Sequence, residues 1–302
     1  MVEAKVAGDL KLLLTSIAFA ALVAGPATAA DLGSPVYRAP VAVPVAFNWT
    51  GFYIGGHVGA GWGTTEWNAI SMFTAPSFTF PTPDTTGATP VNGFLGGIQG
   101  GFNYQINWAV LGVEAQWSGA RLTGSGSCFA DVAPFAPAPV PIKGPITLNG
   151  DTDTNCTSTV RSLGTVAGRF GVSTDRTMLY LKGGWGWAND RFSIHSTTAS
   201  FSTPPYTTYG YADITDTRWG PMVGAGIEHA LDAHWSAKIE YDYLDLGTKN
   251  YTFNGTVIAP FPPFPTTTAA TAVSTDVSQH VHMIKFGINY RFGSYAVPFV
   301  SK

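Results

Sequence analysis

Charge is scarce in this chain: only 12% of its 302 residues are Asp, Glu, Lys or Arg, about half the share of an ordinary soluble domain. The formal net charge is -3 and no basic patch stands out, so composition gives no case for a nucleic-acid partner. Cysteine is nearly absent, at 2 residues, which rules out a disulfide-dense scaffold and a cysteine-rich zinc site. Past the first 30 residues no apolar run approaches the eighteen residues a membrane helix needs, so helical spans are excluded there. No phosphate-cradling glycine loop can be placed between a strand and an amphipathic helix, although "GTVAGRFG" and "GGHVGAG" carry suitable glycines. The six histidines form no nucleophile constellation, and the serine in "GSGSC" lacks the closing glycine of a nucleophile elbow. His280 and His282 alternate on one strand face, where an interfacial aromatic role outweighs chelation. The sequence therefore reads as no enzyme, with no cofactor and no metal.

What is present begins with an export signal. Lys5 and Lys11 precede an apolar run from Leu12 to Val23, and small residues suit cleavage near Ala29 or Ala30. Residues 31–47 carry Pro35, Pro40 and Pro44 and read as an extended linker. The structured part is expected over residues 48–292, followed by a short extension over 293–302.

Glycine and aromatics are abundant, at 35 Gly and 13% Phe, Trp and Tyr, and they sit in strictly alternating segments. In "WSAKIEYDYLDLG" Trp235, Ala237, Ile239, Tyr241 and Tyr243 share one face, opposite Ser236, Lys238, Glu240 and Asp242. Eight such strands are predicted, about 49–63, 93–105, 108–121, 159–172, 178–192, 218–231, 235–247 and 280–292. Short turns follow the second, fourth and sixth, while long Pro-, Thr- and Ser-rich segments follow the first, third, fifth and seventh. A membrane barrel sorts its loops in this way and also removes open sheet edges. The predicted fold is thus all-β, an eight-stranded antiparallel up-and-down transmembrane β-barrel.

Cost decides the orientation. A charge facing mid-bilayer costs about 2–4 kcal/mol, so the charged faces must turn inward. By parity the lumen receives Glu114, Gln116, Arg161, Arg169, Lys182, Glu228, Lys238, Glu240, Asp242, Lys285 and Arg291. An eight-stranded lumen barely holds its own side chains, so these groups are expected to pair as a plug, with a narrow polar pore as the alternative. Tryptophans 62, 67, 108, 117, 185, 187, 219 and 235 are assigned to interfacial girdles. Cys128 and Cys156, in the second long loop, are the disulfide candidate in an oxidising compartment. The outer loops around Phe78, Phe129, Tyr206 and Phe261 are the candidate surface for an extracellular ligand.

"NWTGFYIGGHVGAGWG", "GGIQGGFNYQ" and the closing "FGINYRF" resemble the porin-like outer-membrane β-barrel family of Gram-negative bacteria, of the outer membrane immunogenic protein type. The resemblance implies an OmpA- or OmpX-like barrel in the outer membrane, in contact with its lipids and lipopolysaccharide. It also implies insertion by the outer-membrane assembly machinery, aided by periplasmic chaperones, with Tyr290 and Phe292 as the terminal-strand signal. The chain departs from the pattern in two places: "GSYAVPFVSK" follows Phe292, and Pro221 interrupts the sixth strand.

Overall fold

A computed structural model of the chain describes residues 47–74, 78–80, 86–128, 150–200, 206–259 and 267–292. The expected signal and most of the linker, the C-terminal extension, Phe129 and Phe261 lie outside the described residues.

The elements are β1 (Gly51–Thr74), β2 (Phe78–Phe80), β3 (Thr86–Ile106), β4 (Ala109–Ser127), β5 (Gly150–Thr174), β6 (Thr177–Ser200), β7 (Tyr206–Ala230), β8 (Trp235–Ala259) and β9 (Thr267–Arg291). The three-residue β2 folds back onto the far end of β1. The other eight pair antiparallel in chain order, and β9 returns to β1. Their pairing closes the ring that the alternating loop lengths predict.

At one end the connections are tight. Asn107 and Asp175 open two-residue turns with φ of 55° and 49°, a region that Asn and Asp tolerate better than other side chains. In the β7–β8 turn the Asp232 carboxylate accepts from the backbone N–H groups of His234 and Trp235 at 2.7 and 2.8 Å. Those two hydrogen bonds hold its pKa below the ordinary carboxylate value.

The strands run much further than the alternation of polarity suggests. β8 has 25 residues where about a dozen are predicted; at ~3.3 Å per residue and a tilt of about 45° it rises roughly 58 Å, against an apolar band of about 25 Å. Only the half nearest the short turns has an oily exterior. There Phe52, Ile54, Val58 and Trp62 of β1, Leu111, Val113 and Trp117 of β4, Leu179, Leu181 and Trp185 of β6, and Trp235, Ile239 and Tyr241 of β8 all point out. Beyond that belt the outer face turns to Glu66, Asn68, Arg191, His195, Asp213, Thr215, Thr217, Thr252 and Asn254.

The interior changes in the opposite sense. Above the belt it holds an apolar cluster of Trp67, Cys128, Cys156, Phe192, Ile194, Tyr251, Phe253, Val273 and Val277. Trp67, assigned from sequence to a girdle, is fully buried there, edge-on to Phe192 at 5.5 Å and donating to Thr89 at 3.1 Å. A second apolar layer, including Leu95, Leu122, Leu163, Met222, Leu244 and Met283, lies within the ring. A third, of Trp49, Val110, Met178, Tyr180 and Ala230, occupies the short-turn end.

β-Bulges break the register between the two halves. The ladder slips between Ala69 and Ser71, between Gly119 and Leu122 opposite Val160 and Ser162, and between Asp245 and Thr248. An odd number of inserted residues reverses which face a strand presents from that point on. In β8 the even residues Lys238, Glu240, Asp242 and Leu244 face in below the slip, and the odd residues Tyr251 and Phe253 face in above it. Gly247 makes the slip with φ +62°, and nothing approaches the place its Cβ would take. Between β7 and β8 the ladder stops at Tyr211–Thr256 and resumes at Met222–Leu244. Pro221 stands at the lower end of this interruption and faces outward.

Candidate functional site

Inward parity and the small bore bring the ionisable side chains of the lower half together. Glu114 and Gln116 come from β4, Arg169 from β5, Lys182 from β6, Glu228 from β7, Lys238, Glu240 and Asp242 from β8, and Lys285 from β9. The four acids and four bases cancel in formal charge, and all eight side chains are buried. A balanced set is what makes such burial tolerable, because each ion's lost hydration is offset by opposite charge and hydrogen bonds at contact distance.

Glu240 and Glu114 are the hubs of the layer, with five partners each, Gln116 donating to both at 2.8 Å. Glu240 accepts Lys182 at 2.7 Å, Gln116 and the Tyr180 hydroxyl at 2.8 Å, and Lys238 and Lys285 at 3.1 Å. Glu114 accepts Lys238 and the Tyr53 hydroxyl at 2.8 Å, Arg169 at 3.3 Å and Lys182 at 3.4 Å. Asp242 pairs with Lys182 at 3.2 Å and with Lys285. Arg169 bridges to Glu228 at 2.7 Å and lies over the Tyr180 ring, 3.9 Å from its centroid. Glu228 also accepts Ser236 at 2.6 Å and Asn289 at 2.9 Å. β3 joins through Gln99, which donates to Asn289 at 2.6 Å. Every strand of the ring contributes a side chain.

Two contacts fix what this layer can do. β4 and β8 stand four places apart in a ring of eight, on opposite walls, yet Lys238 and Glu114 meet at 2.8 Å. Lys285 of β9 likewise reaches Gln116 of β4. At this height side chains from opposite walls are in direct contact.

The mouth below is filled by the run that leads into β1. Trp49 donates its backbone N–H to Gln105 at 2.7 Å and its indole N–H to the Asp175 carbonyl at 3.4 Å. Arg291 is buried here, one layer below the ion pairs. It stacks on Phe47 and Trp49, 4.5 and 5.0 Å from their ring centroids, and donates to the Asn48 carbonyl.

One assignment needs correction. Arg161 has the parity of Arg169, and counting by twos places both in the lumen; the structure puts Arg161 on the outer surface. Against β6 it is itself the inserted residue of the β5 bulge, so inward positions are odd below it (Leu163, Thr165, Ala167, Arg169) and even above it (Val160, Ser158, Cys156).

Three features escaped sequence reasoning. His57 Nε2 lies 2.7 Å from Ser118 Oγ inside the lumen, in strands whose contact was not derivable by spacing. Higher up, Arg218 donates to the carbonyls of Leu246 at 3.0 Å and Val277 at 3.2 Å, bonding backbone freed by the interrupted ladder and the β8 bulge. Beside it Asp190 is fully buried, and no donor among the described residues reaches either of its oxygens. Burial pushes its carboxyl up to about 7, against the pull of Arg218.

Cys128 and Cys156 are joined in a disulfide with their Cα atoms 5.5 Å apart, inside the upper apolar cluster. Tyr290 and Phe292 face outward at the short-turn end, with ring centroids 5.1 Å apart. Phe292 donates its N–H to the Phe52 carbonyl at 2.9 Å, tying the end of β9 to β1.

Residues 17–292 match the family described as outer membrane protein beta-barrel domain. The chain is 34% identical over 248 residues to the 31 kDa outer-membrane immunogenic protein of Brucella melitensis, covering 79% of this chain and 88% of that one. The Brucella suis protein of the same name matches with the same figures. Among solved structures, it is similar to the outer membrane protein OprG of Pseudomonas aeruginosa, with a TM-score of 0.37 and 13% identity over 81% of this chain and 98% of that one.

Proposed function

Because this chain belongs to the outer membrane protein β-barrel family, we propose that it serves as a sealed, surface-presenting barrel of the bacterial envelope rather than as a channel or an enzyme. The single observation that carries the sealed reading is the contact between Lys238 and Glu114 from opposite walls, within a neutral layer of four acids and four bases. A pore-lining ring would leave its charges hydrated and apart; here they are dry and mutually bonded. The non-enzymatic reading is supported by the placement of His57 and Ser118. Both are buried inside the lumen, and among the described residues His57 Nδ1 has no partner that would orient the ring for proton transfer.

The rest of the fold serves display. The apolar belt anchors the lower half in the outer membrane, and the upper half lifts the loop bases well clear of the bilayer on a rigid, apolar-cored wall. Its similarity to outer-membrane immunogenic proteins agrees with exposure at the cell surface. Planar-bilayer recording of the full mature chain tests the seal. The expected trace has no stable unitary openings; steady openings of the size of a water-filled pore would overturn the reading.

A further inference from the structure

The paired bulges of β4 and β5 have a consequence on the outer wall. They place Arg121 and Arg161 side by side on the outer face, within the interval where Gly119–Ser162 and Leu122–Val160 bracket the slip. Neither has an acid within 4.0 Å among the described residues, whereas the outward cation of β6 is neutralised: Arg191 pairs with Asp213 at 3.3 Å.

Their height matters as much as their charge. Immediately on the belt side lies the hydrogen-bonded row Trp117, Gly164, Trp187, Trp219. Trp187 packs flat over Gly164, where a Cβ would fall 1.9 Å from its ring, and its centroid is 5.3 Å from that of Trp219. The glycine thus seats an indole at the water boundary. Below that row the wall is bare hydrocarbon: Val113, Val166, Phe170, Leu181 and Trp185. Two unpaired guanidinium groups above an indole shelf and an apolar wall match an amphiphile with anionic oxygens at its head and acyl chains beneath. Guanidinium forks suit phosphate oxygens, and the long-loop end faces the outer leaflet.

We propose that Arg121 and Arg161 form a binding site for the phosphorylated headgroup of an outer-leaflet glycolipid, the lipopolysaccharide class, whose acyl chains lie along β4 to β6. The site lies on the outside of the wall and does not depend on whether the lumen is sealed.

The test is native mass spectrometry of the full mature chain in detergent, titrated with bisphosphorylated lipid A, dephosphorylated lipid A and phosphatidylglycerol. With about a five-fold effect per exposed arginine, the double variant Arg121→Gln/Arg161→Gln is expected to retain bisphosphorylated lipid A about ten- to thirty-fold less well than the parent. Arg191→Gln, a cation already paired, is expected to leave retention unchanged, and dephosphorylated lipid A should bind parent and double variant alike. Should the glutamine variant fail to fold, Arg121→Lys/Arg161→Lys keeps the charge and loses the fork, and a several-fold weaker retention is expected. Equal retention by parent and folded variant overturns the proposal. So does phosphatidylglycerol binding as well as bisphosphorylated lipid A, or complete displacement of the lipid by millimolar inorganic phosphate.

Discussion

The lower and upper halves of this barrel are built from the same eight strands with opposite polarity. Below, ions fill the centre and hydrocarbon coats the outside; above, Trp67, Phe192, Tyr251 and Phe253 fill the centre while Thr, Asn and charged residues coat the outside. The upper half follows the rule of soluble proteins, where apolar burial drives packing. The lower half cannot, because its surroundings are as oily as any core. Its interior is held by ion pairs whose Coulombic gain roughly offsets their lost hydration, so they specify a unique arrangement more than they add net stability.

The largest expected effect comes from breaking that balance. Glu240→Leu leaves three lysines facing a lost partner, and removing one member of a buried charge set costs about 3–5 kcal/mol. Urea unfolding in lipid vesicles, followed by the heat-dependent shift in gel migration, should register it as a lower midpoint for the whole barrel. Next comes the disulfide of the upper half. Cys128→Ala with Cys156→Ala releases a crosslink across 28 residues and is expected to cost about 3 kcal/mol. Its effect should be local, raising hydrogen exchange at the outer ends of β4 and β5 while amides around Glu114 and Arg169 stay protected.

A third prediction has the opposite sign. Burial raises the Asp190 carboxyl from 3.8 to about 7, so the folded state holds a proton that the unfolded chain has already released between those values. Stability is therefore lost as pH rises from about 4 to about 7 and levels off above. Asp190→Asn should abolish that slope and stabilise the protein by about 1–3 kcal/mol at pH 8, as denaturant midpoints across pH 5 to 8 would reveal. The smallest effect belongs to the upper exterior. Arg191 and Asp213 are about half exposed, and Asp213→Asn should cost less than about 1 kcal/mol, with the difference vanishing in high salt.

The lower half was legible because hydrocarbon leaves one economical solution: every second residue apolar, every charge turned inward. The stretch from Trp235 to Tyr243 reads correctly residue by residue. The upper half was not, because its polarity reverses and its outward Thr and Ser look like loop composition. Tyr251, Phe253, Val273 and Val277 therefore passed as parts of long connections. Arg161 failed for a sharper reason, since a one-residue insertion leaves no mark in composition yet reverses everything beyond it. Trp67 failed with it, because a tryptophan near a predicted strand end fits a girdle and a core equally well.

The reversal itself can be measured along one strand. Spin labels placed singly at Ala237, Ile239, Tyr241, Tyr243, Thr252 and Asn254 of β8, with the protein in lipid vesicles, would report collisions with oxygen, which concentrates in acyl chains, and with a water-soluble nickel chelate. The first four labels should be oxygen-accessible, and the last two should meet the chelate on the same outer face. Oxygen-dominated signals at Thr252 and Asn254, or chelate access at Ile239, would contradict the two-layer account.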